Sequence, residues 1–484
     1  MNAESLFRSH VVRHLRGFNG NLLMLFEALD EGDVPDASDL SIRPYLQQLQ
    51  HHLKLLSATD EDNFLLRYAL VVPGRRHGIR PPISVISPER GGFSQRRVDE
   101  AAAQFSRLRF ALSLGRRYLG PLSSDPRIAV RELGNRIESE MTDADWIRYH
   151  DNLPKGEVEL LAEIAITHLD ASSEDEQRLG IEVLECLANF RREGLGNIAF
   201  ELLRREIFWP GSLFRDAPDP IAAGLIGRIA RADRLQLNHL LSALAWTRGE
   251  PARLAFNEWR GHPQGCSANL RVQPEHYLSH AGWTLTRDGR HRELISHPCH
   301  RLVKFADNVL PDLAVPCRTE TESRCPGCGT QLRWLFDFSK LPALFFPNER
   351  LCAPRRLLYC PNCTCFGPVF SRYDLEGGAE WLSATASPVV DGSDSGPSCG
   401  CGIMVASQPS FAAAATFEME DATSLGGIPT WLQDAEYPEC PDCRQTLSFL
   451  AQFDNLSMPQ PEEGIFYAFF CEACHVAAVT YQQT

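Results

Sequence analysis

Four Cys-x-x-Cys pairs crowd the last third of this chain: Cys325/Cys328, Cys360/Cys363, Cys440/Cys443 and Cys471/Cys474. The first two pairs are 31 residues apart and the last two 27. One such pair says little. Two at this separation are the layout of a zinc ribbon, in which two tight knuckles present four thiolates to one tetrahedral ion. Zinc's filled d shell accepts that sulfur set without redox chemistry. Pro326, Gly327, Pro361 and Pro441 sit in the knuckles, where tight turns favour them.

The two halves of this region are copies of each other. CPGCGTQLRWLFDFSK from Cys325 aligns without gaps on CPDCRQTLSFLAQFDN from Cys440. Leu332 then matches Leu447, Trp334 matches Phe449, Leu335 matches Leu450 and Phe338 matches Phe453. Around the second knuckles LLYCPNC aligns on AFFCEAC, so that Tyr359 matches Phe470 and, further on, Phe370 matches Tyr481. Cysteines and apolar positions recurring in one order mark an internal duplication. The expectation is two similar β units with one zinc ion each. The repeat favours pairing of knuckles within a unit over exchange between units.

A site of four thiolates is coordinatively closed and has no position for water or substrate. It contributes folding free energy on the order of 10 kcal/mol and does no chemistry. Cys317, Cys352, Cys365, Cys399 and Cys401 lie near by outside the repeat, with Cys399-Gly-Cys401 a weak candidate for a redox pair or extra ligands. His297, Cys299 and His300 are a second weak candidate for ligation, at the end of a predicted hairpin. Cys186 and Cys266 read as small buried hydrophobes.

The run Gly426-Gly-Ile-Pro-Thr-Trp-Leu-Gln433 is followed by Glu436-Tyr-Pro-Glu-Cys-Pro-Asp-Cys443 and by Leu447-Ser-Phe-Leu-Ala-Gln452. This order resembles the YwqG-like bacterial proteins. That group looks like a distant relative of programmed-cell-death-two-like and ribosome-assembly chaperone domains. The resemblance covers residues 265–484. It implies a duplicated β-rich domain with cysteine zinc knuckles and a protein-binding or chaperone-like role, within toxin–immunity or stress loci. It implies no catalytic residues. The first unit departs from the pattern, carrying Ala314-Val-Pro-Cys317 where the Gly-Gly-Pro-Trp run would stand. By its own physics, Gly426-Gly427 permits a turn that other residues would strain, and Trp431 is large enough to anchor a core or a groove.

The rest of the chain reads as helix. Apolar residues recur at helical spacing over 6–29, 45–56, 100–119 and 131–149. Gly, Pro and Arg break the pattern between 74 and 92, with a short strand predicted at 83–86. Six amphipathic segments follow: 158–169, 174–190, 196–208, 221–232, 236–246 and 250–259. A helix pair then recurs about every 40 residues, the period of HEAT-type repeats, which offer a long surface to protein partners. Residues 283–295 alternate around Asp288-Gly289, a strong hairpin signal. The segment 387–398 (SPVVDGSDSGPS) reads as a flexible connection. The expected architecture is α+β: a helical domain over 1–150, a HEAT-like region over 151–262, a connecting hairpin region over 263–312 and the duplicated zinc-binding β module over 313–484.

Charge narrows the function. Of 484 residues, 48 are Lys or Arg and 62 Asp or Glu, a net charge of −14. Residues 75–117 hold ten Arg and three acids, whereas residues from 376 onward hold fifteen acids and one base, Arg444. Acidic segments repel phosphate backbones, which argues against nucleic acid as the partner of the cysteine module. The N-terminus has no signal-peptide core and no run of about 18 apolar residues occurs, so a cytoplasmic protein with reduced thiols is expected. The sequence points to a zinc-stapled protein-interaction protein without a catalytic site, of adaptor, chaperone or immunity type. The alternatives are a nucleic-acid-binding zinc-ribbon protein served by the Arg-rich stretch, and a metal-dependent enzyme with an open site at His297, Cys299, His300 or His475.

Overall fold

A computed structural model describes residues 2–17, 43–54, 59–75, 95–138, 153–190, 195–196, 198–261, 270, 272–304, 313–346, 352–385, 399–403, 411, 422–455 and 463–483. The predicted strand at 83–86, the connection at 387–398, Cys266 and the outer parts of several predicted helices lie outside these residues. So do the side chains of His297, Cys399 and Cys401. The chain divides into two compact units, Met1–Thr142 with Leu153–Val183 and Asp143–Asn152 with Leu184–Thr484. As expected, helices precede a β-rich region that carries two four-cysteine clusters.

The first unit is helical among its described residues. It contains α1 (Ala3–Gly17), α2 (Arg43–His52), α3 (Asp60–Arg75), α4 (Gln95–Tyr118), α5 (Pro126–Glu138), α6 (Lys155–Leu169) and the start of α7 (Glu174–Phe190). Leu6, Phe7, Val11 and Leu15 recur at helical spacing and are fully buried, so α1 is a central element that α4, α5 and α6 pack around. Two histidines find polar partners inside. His14 Nδ1 meets Glu182 Oε2 at 2.6 Å, and His168 Nε2 meets the Tyr118 hydroxyl at 2.9 Å while its ring stacks on Phe7.

The second unit continues with α8 (Ile198–Arg204), α9 (Asp219–Ile229), α10 (Arg234–Thr247), α11 (Glu250–Gly261) and α12 (His276–His280). Asp233 caps α10 by accepting from Gln236 N. Trp283 anchors the following hairpin: it is fully buried, its indole N–H donates to Ala245 O at 2.8 Å, and its ring stacks on His291. The hairpin is β1 (Trp283–Leu285) with β2 (His291–Glu293), turning at Gly289 with φ +76°.

The remaining strands form one antiparallel sheet. They are β3 (Ser296–Lys304), β4 (Ala314–Arg324), β5 (Gln331–Asp337), β6 (Arg356–Tyr359), β7 (Val369–Tyr373), β8 (Ala379–Ala384), β9 (Cys399–Ile403), β10 (Ser424–Gly427), β11 (Ser448–Asp454), β12 (Ile465–Cys471) and β13 (Val476–Gln482). Their order is β6-β5-β4-β9-β3-β10-β11-β12-β13-β7-β8. Strand β6 also lies against β7, β8 and β13, so the sheet coils back until its two ends meet. The enclosed core takes Val315, Leu335, Phe336 and Phe338 from the first repeat and Leu450, Phe453, Phe466 and Val479 from the second. Every residue of β11 and β12 is buried. Strands covered on both faces read as apolar runs, as IFYAFF does; in β11 the buried Gln452 is satisfied by Thr430 N and Ala422 O.

Two expectations are corrected here. Gly426 and Gly427 do not make a turn. They end strand β10 at a register shift against β3, both with positive φ (+76° and +75°). A Cβ on Gly427 would stand 2.5 Å from Cys299 Cβ and 2.7 Å from Phe411 O, so the glycines are required by close strand packing. The repeat is also incomplete as a fold. In the second repeat β11, β12 and β13 form a meander. In the first repeat β5 pairs with β6, but β7, although it lies against β6, takes its ladder hydrogen bonds from β13.

Candidate metal centres

The first knuckle of each repeat is a tight turn closed by the same backbone hydrogen bonds. In the first repeat Cys325 N donates to Thr330 O at 2.8 Å and Gly329 N to Cys325 O at 2.9 Å. In the second, Cys440 N donates to Gln445 O and Arg444 N to Cys440 O at the same two distances. The residue after each first pair is left-handed, Gly329 at φ +75° and Arg444 at φ +60°. The duplication is therefore visible in individual backbone hydrogen bonds. The second knuckles differ. Cys363 opens a one-turn helix (Cys363–Phe366), whereas Cys474 passes through left-handed His475 directly into β13.

These turns bring all eight predicted cysteines into two sets. Cys325, Cys328, Cys360 and Cys363 form one, Cys440, Cys443, Cys471 and Cys474 the other, with the sulfurs of each set within 4.8 Å of one another. Measured pairs are Cys325–Cys363 at 3.6 Å, Cys328–Cys360 at 3.4 Å and Cys443–Cys471 at 3.7 Å. Disulfide sulfurs are about 2.05 Å apart, so these are free thiols. Four sulfurs about 2.3 Å from a tetrahedral ion stand about 3.8 Å from each other, close to what is seen. Knuckles group within each repeat, the arrangement that the duplication favours.

The electrostatics of the donor set also call for a cation. Burial pushes the Cys328 thiol up, but Thr330 and the thiols of Cys360 and Cys363 outweigh it and bring Cys328 down to about 7. Burial, then the neighbouring sulfurs of Cys325 and Cys328, push Cys363 up to about 12. Burial likewise drives Cys360 far upward. In the second set burial pushes Cys443 up but hydrogen bonds from Gln445 N and the neighbouring thiols outweigh it and lower it, while Cys474, hydrogen-bonded to Cys443, is raised to about 12. Four thiolates in one small space repel one another, and only a multivalent cation at their centre lets all four ionise. Each set could hold one metal ion.

The first centre is sheltered. Leu332, Leu358 and Val369 pack on its cysteines, with Trp334 and Trp381 against them. The second is more open: Cys443 and Cys474 are half-buried. One residue that positions it was not legible in the sequence. Arg372 of β7 donates to Cys474 O at 3.1 Å and to Asp442 Oδ2 at 2.9 Å. No local pattern marks Arg372, because it comes from the other repeat.

The remaining candidates do not gather. Cys299 and His300 are neighbours on β3 and so face opposite sides of the sheet. Cys299 is buried under Gly427. His300 packs edge-on against Phe345, and burial lowers it to about 4, which marks a neutral interior imidazole. His475 stacks on Tyr373. Cys365 is exposed and bonds Pro361 O, and Cys317 is buried in the main core. Among the described residues, no group of three or more His, Cys, Asp or Glu besides the two cysteine sets could hold an ion. Trp431 leans on Tyr437, Tyr467 and Phe469, an aromatic cluster beside the second knuckles. Gln433, two residues on, lines a cavity of about 570 Å³ with Arg234, His276, His280 and Asp434.

One curated protein, the uncharacterized protein YpfL of Salmonella typhimurium (strain LT2), is 32% identical over 314 residues, which cover 63% of this chain and 72% of that protein. No protein-family model matches the chain and no solved structure matches it.

Proposed function

The chain belongs to the family of the Salmonella protein YpfL, and on that premise we propose that it is a zinc-stapled protein-interaction protein of the cytoplasm, working as an adaptor or chaperone. The observation that carries this reading is the pair of closed four-thiolate sets. Sulfur-only donors favour zinc over magnesium, calcium or manganese, and a set of four leaves no open position for a substrate. The ions would be held by Cys325, Cys328, Cys360 and Cys363, and by Cys440, Cys443, Cys471 and Cys474. Each would supply folding free energy to a region in which long β pairing must be completed before it is stable.

The surface supports a partner of protein type. The cavity beside Gln433 has mixed polar walls that include Arg234, His276, His280 and Asp434. It lies next to the run that resembles the YwqG-like proteins. Helical pairs of the HEAT type, if α8 to α11 act as such, would add an extended protein-binding face.

Metal content and partner capture test this together. Protein purified without added metal is expected to carry two zinc ions per chain by native mass spectrometry, released only as the β-rich unit unfolds. Crosslinking in cells followed by reciprocal capture is expected to return a defined protein partner. Hydrolytic or transfer activity requiring a zinc ion that exchanges without unfolding would sink the proposal.

A further inference from the structure

Strand β7 touches both metal centres. It leaves Cys363 through the one-turn helix Cys363–Phe366 and therefore belongs to the first repeat. At its start, Val369 packs with Cys325, Cys360 and Cys363. At its end, Arg372 bonds the second centre twice: Nη1 donates to Cys474 O at 3.1 Å and Nη2 to Asp442 Oδ2 at 2.9 Å. Cys474 and Asp442 lie in different knuckles, so one guanidinium ties the two halves of that centre together. Tyr373 N donates to His475 O at 2.9 Å, and the Tyr373 hydroxyl, which donates to Cys352 O at 2.8 Å, also stands 3.3 Å from Cys471 O. The pairing Val369↔Val479 and Arg372↔Val476 fixes this short strand, and the intervening three steps span about 10 Å. The one-turn helix itself rests against β13, which starts two residues after Cys474.

We propose that the first metal centre supports the second. An ion held by Cys325, Cys328, Cys360 and Cys363 fixes the start of β7. Strand β7, with Arg372 as the positioning residue, then holds the knuckles that carry Cys440, Cys443, Cys471 and Cys474. The two ions bind with positive coupling, and the second centre is the weaker one when the first is empty. Reciprocity requires that an ion in the second centre tighten the first by the same factor. The inference rests on the metal-binding reading above.

The test is a zinc titration of the full chain against a chromophoric chelator. Alkylation followed by peptide mass spectrometry identifies which cysteines each ion protects. Arg372 is half-exposed, so Arg372→Gln is expected to fold. It is expected to weaken the second centre by about 10- to 100-fold, the usual effect of removing a group that orients metal ligands, and to leave the first centre's intrinsic affinity unchanged. Cys360→Ser is expected to weaken the second centre similarly, although its own ligands are intact. Val369→Ala, which keeps all eight thiols, tests the same link should Cys360→Ser not fold. Combining Arg372→Gln with either is expected to weaken the second centre by less than the sum of the two effects, because both cut one path. Second-centre affinity unchanged in Arg372→Gln, or in both first-centre variants, overturns the coupling. A wild-type chain that takes up no zinc overturns the metal-binding reading itself.

Discussion

Replacing Gly427 by Ala separates two costs that usually arrive together. Gly427 has φ +75°, and an alanine there meets the left-handed penalty of roughly 1–2 kcal/mol. Its Cβ would also stand 2.5 Å from Cys299 Cβ, 2.6 Å from Cys299 Sγ and 2.7 Å from Phe411 O. Neither neighbour is a flexible chain end. Overpacking of this kind costs about 1–3 kcal/mol, for a total of about 2–5 kcal/mol. Gly329 is the internal control. Its φ is also +75°, but a Cβ there meets nothing within 4 Å, and the matching residue of the other repeat is Arg444 at φ +60°. Gly329→Ala should therefore cost only the backbone part, about 1–2 kcal/mol. The assay is denaturant unfolding of the β-rich unit followed by near-UV circular dichroism, with zinc content checked in each variant. If Gly427→Ala costs no more than Gly329→Ala, then β10 does not depend on close packing against β3. The diglycine would then be retained for another reason, such as a partner surface.

Two further outcomes follow from the site and its surroundings. Cys440→Ser should lose one zinc ion per chain and lower the stability of the β-rich unit by several kcal/mol. Cys365→Ser, at an exposed thiol outside both sets, should keep two ions; native mass spectrometry checks both, and loss of an ion in Cys365→Ser would show that the ligand sets are wrongly assigned. His300 supplies a pH dependence. Its folded-state pKa, near 4 because of burial, lies below the unfolded value of about 6.5, so the unfolded chain binds the proton first. Stability contributed by neutral His300 is present above pH 6.5 and is lost as pH falls toward 4. At 1.36 kcal/mol per pKa unit the full loss is roughly 3 kcal/mol. His300→Phe, packed against Phe345, should flatten the stability profile relative to wild type over that window. Identical profiles would mean that His300 is solvated. Thiolate protonation and zinc loss act on both proteins alike, so the difference between the curves isolates the histidine.

What could be read in advance, and what could not, follows from the range of each interaction. The eight cysteines were legible because a knuckle is local: four residues and a turn decide where two sulfurs point. Their grouping was legible too, because a duplicated sequence repeats its own short hairpin, and the bonds Cys325 N to Thr330 O and Cys440 N to Gln445 O recur accordingly. Helices such as α7 and α11 showed themselves through spacing along a single segment. The role of Gly426-Gly427 was misread as a turn because glycine announces freedom of φ without saying what approaches it; the answer, Cys299 on β3, lies more than a hundred residues away. The path of β7 was hidden for a related reason. Phe370 and Tyr481 match in sequence, which suggests equivalent places in two equal units, yet β7 pairs with β13 itself. A strand chooses its neighbour by the whole sheet's closure, and no residue in Val-Phe-Ser-Arg-Tyr encodes that choice. This exchange also explains why Arg372 escaped notice. Duplication produced two similar cysteine sets, and the crossing of one strand puts Arg372 of the first repeat on the backbone of the second set.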